Sequence, residues 1–270
     1  MGEILALVKY VGPKLISFIV AVIIYFLLIA FEHNNLVWTT IVKCAPIICL
    51  MIFVLLYGLR FEREYIYSHK IFMGLIFSCF GDALLNVDLF AFGMVMFGVA
   101  QVVYASAFGW KPLKLWIGLV LYIFGAIAIL FLYKNIDSTV LLIGLPVYGV
   151  LLLTMCWRAI VRFGNVRDLR TSSMINNVCA IASVLFVFSD AVIAFDKFYS
   201  PISYRTFLVM STYYFAQFGI TLSIIPSRAT VEKFKSIHTQ TDTNDYSHNV
   251  IENLDLPGQF AVRQRKFSDI

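Results

Sequence analysis

Two aspartates, Asp82 and Asp190, stand inside long apolar stretches in nearly the same local frame. The first reads Phe80-Gly81-Asp82-Ala83-Leu84-Leu85 and the second Phe188-Ser189-Asp190-Ala191-Val192-Ile193: an aromatic, a small residue, the acid, an alanine and two aliphatics. A carboxylate at bilayer depth costs a few kcal/mol, so it persists where it is paired, hydrated or used. A third ionisable group, Lys43, lies in another apolar stretch, seven residues after Leu36. One ammonium cannot fully neutralise two carboxylates in a low-dielectric site, so one aspartate is expected to hold its proton near neutral pH. A neutral carboxylic acid beside an ionised carboxylate is a workable general acid/base pair. The plainer reading is a buried Lys43 salt bridge that only fixes packing.

The elements that must position these groups are membrane helices. The 270 residues are 60% hydrophobic and 14% charged, with mean hydropathy +0.84. Apolar runs long enough to cross a ~30 Å hydrocarbon core fall near 15–31, 36–59, 71–87, 89–109, 113–133, 138–157, 174–195 and 204–225. The fold class expected is therefore an all-α, polytopic membrane protein with eight transmembrane helices, a transmembrane domain over 1–226 and a polar, disordered cytoplasmic tail over 227–270. Lys9, Lys14, Arg60, Arg63, Lys70, Lys111, Lys114, Arg158, Arg162, Arg167 and Arg170 fall on one side of such a topology, and Lys134, Lys197 and Arg205 on the other. The positive-inside rule then places both termini in the cytoplasm. The net charge of +5 reflects these flanks and is no sign of nucleic-acid binding.

Aligning Asp82 with Asp190 brings Tyr104-Ala-Ser-Ala-Phe108-Gly109 over Tyr214-Phe-Ala-Gln-Phe218-Gly219, and Pro46 over Pro146. The pattern predicts two parallel four-helix repeats. Asp82 lies six residues before Asp88, and Asp190 six before Asp196, so each sits about 9 Å below its outer charged neighbour. Lys43 reaches a comparable level. The three groups should share one layer in the non-cytoplasmic half of the membrane. Gln101, Tyr104, Tyr148, Ser211, Thr212, Tyr213, Tyr214 and Gln217 also lie inside spans and could line the same cavity, although tyrosines in membrane helices are often structural. Asp88 and Asp196 sit at span ends, where solvation is the default reading.

Other chemistries find no support in the sequence. Cys44, Cys49, Cys79, Cys156 and Cys179 show no metal-ligand spacing and read as small buried apolar residues. His33, His69, His238 and His248 fall in loops or the tail, which leaves a serine or zinc hydrolase without an imidazole in the membrane. No nucleophile elbow or phosphate-binding glycine loop is present.

Together the motifs resemble those of the lysoplasmalogenases of the YhhN-type membrane family. The resemblance rests on Lys43-x-x-Pro46, Phe77-Ser78-x-x-Gly81-Asp82-x-x-Leu85, Gly93-x-x-x-Phe97, Tyr104-x-x-x-Phe108, Met155-x-Trp157-Arg158-Ala159, Phe186-x-x-Ser189-Asp190 and Met210-Ser-Thr-Tyr-Tyr-x-x-Gln217. It covers roughly residues 15–225. Two positions depart from the family pattern: Gln101 stands where a histidine is usual, and Ala182 where a glycine is common. The resemblance implies an endoplasmic-reticulum enzyme that hydrolyses the vinyl ether bond of lysoplasmalogens to a fatty aldehyde and glycerophospho-ethanolamine or -choline. Its partners would be a lysophospholipid, water and membrane lipids, with neither metal nor organic cofactor. Asp82 and Asp190 would be the catalytic pair, with Lys43, Gln101, Tyr104, Tyr148, Tyr213, Tyr214 and Gln217 binding substrate or tuning the charges. The competing expectation is a proton-coupled transporter or lipid carrier that uses the aspartates as a relay.

Overall fold

In the computed structural model, residues 2–30, 36–58, 66–163 and 173–225 are described. The tail assigned to 227–270 and His33, His238 and His248 lie outside them. Among the described residues the chain is all-helical, with no strand. The helices are α1 (Gly2–Ala30), α2 (Leu36–Gly58), α3 (Ile66–Asn86), α4 (Phe90–Phe108), α5 (Leu115–Leu132), α6 (Thr139–Phe163), α7 (Ser173–Phe198) and α8 (Arg205–Leu222). A 3-10 turn at Tyr133–Asn135 follows α5.

Six of these helices contain stretches long and apolar enough to cross a membrane, from Leu36–Leu56 to Asn177–Phe198, and the chain is an integral membrane protein. In α1 the apolar part is the shorter Leu15–Ile29. α8 falls short in hydropathy for a different reason: Tyr213, Tyr214, Gln217 and Thr221 are all buried in the bundle. Its polar side chains face protein rather than lipid. α5 is the opposite case. Leu115, Trp116, Leu119, Phe124 and Leu130 are exposed, and the helix packs mainly on α6.

Neighbour relations run in parallel through the two halves. α1 packs on α2, α2 on α3 and α3 on α4, while α5 packs on α6, α6 on α7 and α7 on α8. The halves join where α4 meets α6 and α8 meets α2. Pro46 and Pro146 lie within α2 and α6. The tightest approaches are made by small residues. A Cβ on Gly81 would meet the Phe97 ring at 2.6 Å, and one on Gly219 would meet Ala182 Cβ at 2.5 Å. The small residue before Asp82 therefore lets the Phe97 ring rest on α3, and Ala182 meets the bare backbone of α8.

Two expected boundaries need correction. α3 begins at Ile66 and α6 continues to Phe163, so Ser68, His69, Lys70, Arg158 and Arg162 belong to helices rather than loops. A histidine thus does occur in a membrane helix, although it lies in the first turn of α3, more than three turns from Asp82. The reason for the extensions is the C-terminus of α4, whose last carbonyls have no intrahelical donors. Lys70 Nζ donates to Ser106 O at 3.0 Å, Arg162 Nη1 to Ala107 O at 2.7 Å, and Arg158 Nε to Gly109 O at 2.6 Å. Arg158 also donates to Pro112 O at 2.9 Å. It is fully buried, with Trp157 and Trp110 rings at 5.3 and 5.8 Å from its guanidinium. Cations at a helix C-terminus are favoured by the macrodipole, and here neighbouring helices supply them.

Candidate active site

At the opposite end of the bundle, every helix except α5 contributes to a cavity of about 520 Å³. Tyr25 enters from α1, Lys43 from α2, Asp82 from α3, Phe97 from α4, Tyr148 from α6, Asp190 from α7 and Tyr213 from α8. The two aspartates thus share one enclosure with Lys43, although they are 108 residues apart in the chain.

Asp82 is only 2% exposed, and its Oδ1 lies 3.7 Å from the Lys43 ammonium. The same ammonium donates to the Asp82 backbone carbonyl at 3.3 Å. Tyr213 donates its hydroxyl to Asp82 Oδ2 at 2.6 Å. A chain of hydrogen bonds continues behind it. Gln217 Nε2 donates to the Tyr213 hydroxyl at 3.3 Å, and Tyr104 donates to Gln217 Oε1 at 2.8 Å. The Tyr213 ring is wedged edge-on between Phe97 and Phe186, at centroid distances of 5.9 and 5.5 Å. Rings packed in this way hold the hydroxyl on the carboxylate.

Asp190 has a different setting. Tyr148 donates its hydroxyl to Asp190 Oδ2, and among the described residues no cation forms an ion pair with Asp190. The preceding Ser189 donates to Val209 O at 3.2 Å and ties α7 to α8 beside the acid. Each aspartate therefore receives one tyrosine hydroxyl, and among the described residues only Asp82 has a lysine.

The remaining candidates stand behind the cavity wall. Gln101, Tyr104, Tyr214 and Gln217 are buried but do not line the enclosure. Tyr214 donates to the Lys43 carbonyl at 2.8 Å and meets the Tyr25 ring at 5.4 Å, which supports the backbone that carries Lys43. The Gln101 amide lies next to the Tyr148 hydroxyl, but neither of its polar atoms completes a hydrogen bond. Ser211 and Thr212 turn their hydroxyls to carbonyls of their own helix.

At the outer rim Asp88 is exposed, as expected of a span end, whereas Asp196 departs from simple solvation. Asp196 and Arg205 line the cavity and pair at 3.0 Å, with Asp196 also accepting from the Ile202 N–H at 2.9 Å. Asp88, Asn86 and Lys197 lie on the same rim. Sequence reasoning passed over Tyr25 altogether, since a lone tyrosine in an apolar helix carries no signal. Among the described residues no group of three His, Cys, Asp or Glu side chains is arranged to hold a metal ion.

Chemically, the arrangement offers one carboxylate beside a fixed ammonium and one carboxyl with no cation paired to it among the described residues, facing a cavity large enough for the polar part of a lipid. Residues 38–224 match the YhhN family. The chain is 38% identical to lysoplasmalogenase TMEM86A of Bos taurus over 231 residues, 84% of this chain and 95% of that protein. It is 37% identical to lysoplasmalogenase TMEM86A of Homo sapiens over 234 residues, with the same coverage. It is 34% identical to lysoplasmalogenase TMEM86B of Rattus norvegicus over 224 residues, 82% of this chain and 88% of that protein. No solved structure matches. The transporter reading gains no support from these relatives. The match over most of the membrane region, with the motifs around Asp82 and Asp190 inside it, makes this chain a member of the YhhN family.

Proposed function

We propose that the protein is an intramembrane hydrolase that cleaves the vinyl ether bond of lysoplasmalogens, releasing a fatty aldehyde and glycerophosphoethanolamine or glycerophosphocholine. The observation that carries this reading is the unequal environment of two carboxyl groups in one cavity: Asp82 with Lys43 at 3.7 Å, and Asp190 without a cation. The family relatives supply the reaction class, and the site supplies groups suited to it.

In this reading Asp82 is the ionised partner, because the ammonium beside it offsets its charge. Asp190 is the neutral acid. Its Oδ2 accepts the Tyr148 hydroxyl, which leaves the other oxygen to present the proton. Asp190 delivers that proton to the vinyl carbon distal to the ether oxygen, and an oxocarbenium cation forms. The Asp82 carboxylate stabilises the cation and accepts a proton from the attacking water. The hemiacetal then collapses: its hydroxyl returns a proton to the Asp190 carboxylate, Asp82 passes the proton taken from water to the glycerol oxygen as the carbon–oxygen bond to glycerol breaks, and aldehyde and alcohol are left. One water is consumed and the acid is restored. Glycosidases use two carboxyls in comparable roles. Tyr213 and Tyr148 hold the carboxyls in place, and Tyr104 and Gln217 support Tyr213.

The parallel packing of α1–α4 and α5–α8 supports eight spans in two repeats. The lysine-and-arginine bias supports cytoplasmic termini and a cavity that opens on the opposite face. A transmembrane domain over 1–226 with a cytoplasmic tail, and residence in the endoplasmic reticulum, complete the proposal. The decisive test supplies the purified protein with a lysoplasmalogen and with its saturated alkyl-ether analogue. Aldehyde is expected from the first alone. No aldehyde from either would refute the activity, and cleavage of the saturated ether would refute the mechanism.

A further inference from the structure

The rim of the cavity holds two charges that the catalytic proposal does not use. Lys197 lines the cavity, yet among the described residues it has no carboxylate partner; its ammonium rests 4.4 Å from the centroid of the Phe90 ring. Among the described residues Asp88, which lines the same cavity, has no cationic partner either. Between these extremes Arg205 is held by Asp196 at 3.0 Å and remains 46% exposed, with donors to spare. Separated, unpaired charges of opposite sign on the rim of one cavity complement a zwitterion.

We propose that this rim is a headgroup subsite, in which Lys197 and Arg205 take the phosphodiester and Asp88 the amine of a lysophospholipid. The proposal rests on the lysoplasmalogenase reading and assigns the substrate phosphate away from Lys43. That residue is already engaged with the carboxylate and the backbone carbonyl of Asp82 and is only 13% exposed. Distance favours the same assignment. Asp196 is six residues beyond Asp190, about 9 Å along the α7 axis. In a lysoplasmalogen, phosphorus and the vinyl ether oxygen are separated by five bonds of ~1.5 Å, a span of roughly 6 Å. A hydrogen bond of about 3 Å at the phosphate accounts for the difference. A phosphate on the rim therefore puts the reacting bond at the level of the aspartates, with the hydrocarbon chain running further into the enclosure.

The left-handed backbone at Asp88, φ 60°, gives the experiment a clean variant. Asparagine adopts this region readily, so Asp88→Asn removes charge without backbone strain. Lys197 is exposed, so Lys197→Ala should fold, and Lys134→Ala serves as the control. Binding is measured on the full-length purified protein with three non-hydrolysable probes: a 1-O-alkyl lysophosphoethanolamine, the corresponding glycerol phosphate without the amine, and the alkylglycerol without phosphate. The wild type should prefer the phosphate-bearing probes to alkylglycerol. Lys197→Ala should cut that preference about tenfold, the loss of one charge-assisted hydrogen bond. Asp88→Asn should reduce the preference for the amine-bearing probe over the amine-free phosphate, and Lys134→Ala should change neither. Equal weakening of all probes by Lys197→Ala, or unchanged ratios in both variants, would overturn the subsite. Displacement by inorganic phosphate as effective as by glycerophosphoethanolamine would also overturn it, since the rim would then be a free-anion site. Because the probes are not cleaved, a failed subsite is distinguishable from a failed hydrolase, which the aldehyde assay reads separately.

Discussion

Replacing each of the two aspartates proposed as catalytic by asparagine should stop turnover in both cases but should damage the fold in only one. Asp82 and Lys43 are a buried pair, 2% and 13% exposed. Asp82→Asn keeps an oxygen to accept the Tyr213 hydroxyl, but it leaves the Lys43 ammonium without a counter-charge. Breaking a buried pair from one side costs about 3–5 kcal/mol, and the lower end applies here because Lys43 retains the backbone carbonyl. About 3 kcal/mol corresponds to a melting shift of roughly 6–12 °C for a chain of this size. Asp190 has no ion pair to break, and the asparagine oxygen still accepts from Tyr148, so Asp190→Asn should shift the melting temperature by less than about 2 °C. Lys43→Met combined with Asp82→Asn removes both charges and should recover most of the stability, without activity. Intrinsic tryptophan fluorescence on heating, in one detergent, gives the melting temperatures, and aldehyde release gives turnover. Equal destabilisation by the two asparagines would refute the unequal charge environment, and with it the division of roles. Turnover retained above about 1% in either would remove that aspartate from the chemistry, since loss of a general acid or base costs at least ~100-fold.

Other perturbations address the supports. Tyr148→Phe should lower kcat roughly ten- to a hundredfold through loss of Asp190 positioning, with melting changed little; an unchanged kcat would show that Asp190 needs no holding. Gly219→Ala should cost about 1–3 kcal/mol, because the new methyl would meet Ala182 Cβ at 2.5 Å. Ala182→Gly in the same chain should restore the melting temperature, and failure to do so would disprove that contact as the cause. Arg158→Ala should lower stability by about 3 kcal/mol or more, through the orphaned carbonyls of Gly109 and Pro112. Arg158→Lys should recover little, as a single ammonium lacks the planar fork; full recovery would refute the capping role.

The meeting of Asp82, Asp190 and Lys43 at one cavity was legible in the sequence because helical rise is regular. Six residues from Asp82 to Asp88 and from Asp190 to Asp196 set comparable depths, and Lys43 followed from its distance to Leu36. Which polar residues face inward was harder to read. Tyr213 reaches Asp82 while the adjacent Tyr214 turns to the Lys43 carbonyl. One residue rotates a helix face by about a quarter turn, and hydropathy does not resolve that. The extended ends of α3 and α6 escaped notice because a charge normally marks where a membrane helix stops. Lys70 and Arg162 instead spend their charges on carbonyls of α4, and Arg158 on those of Gly109 and Pro112 just beyond it, a partnership visible only once the helices are adjacent. Asp196 was read as solvated for a similar reason: the loop from α7 to α8 brings Arg205 back to it.

The origin of Asp82's two partners bears on how the chain is made. Lys43 precedes it by 39 residues, whereas Tyr213 follows it by 131. During synthesis α3 can enter the bilayer with its charge already matched by α2, but the Tyr213 hydroxyl arrives only with α8. A nascent chain that stops before α8 therefore carries a half-furnished carboxylate and an open groove along α2 and α3. On the proposed mechanism, aldehyde release should therefore require α8, whatever the preceding helices have already assembled.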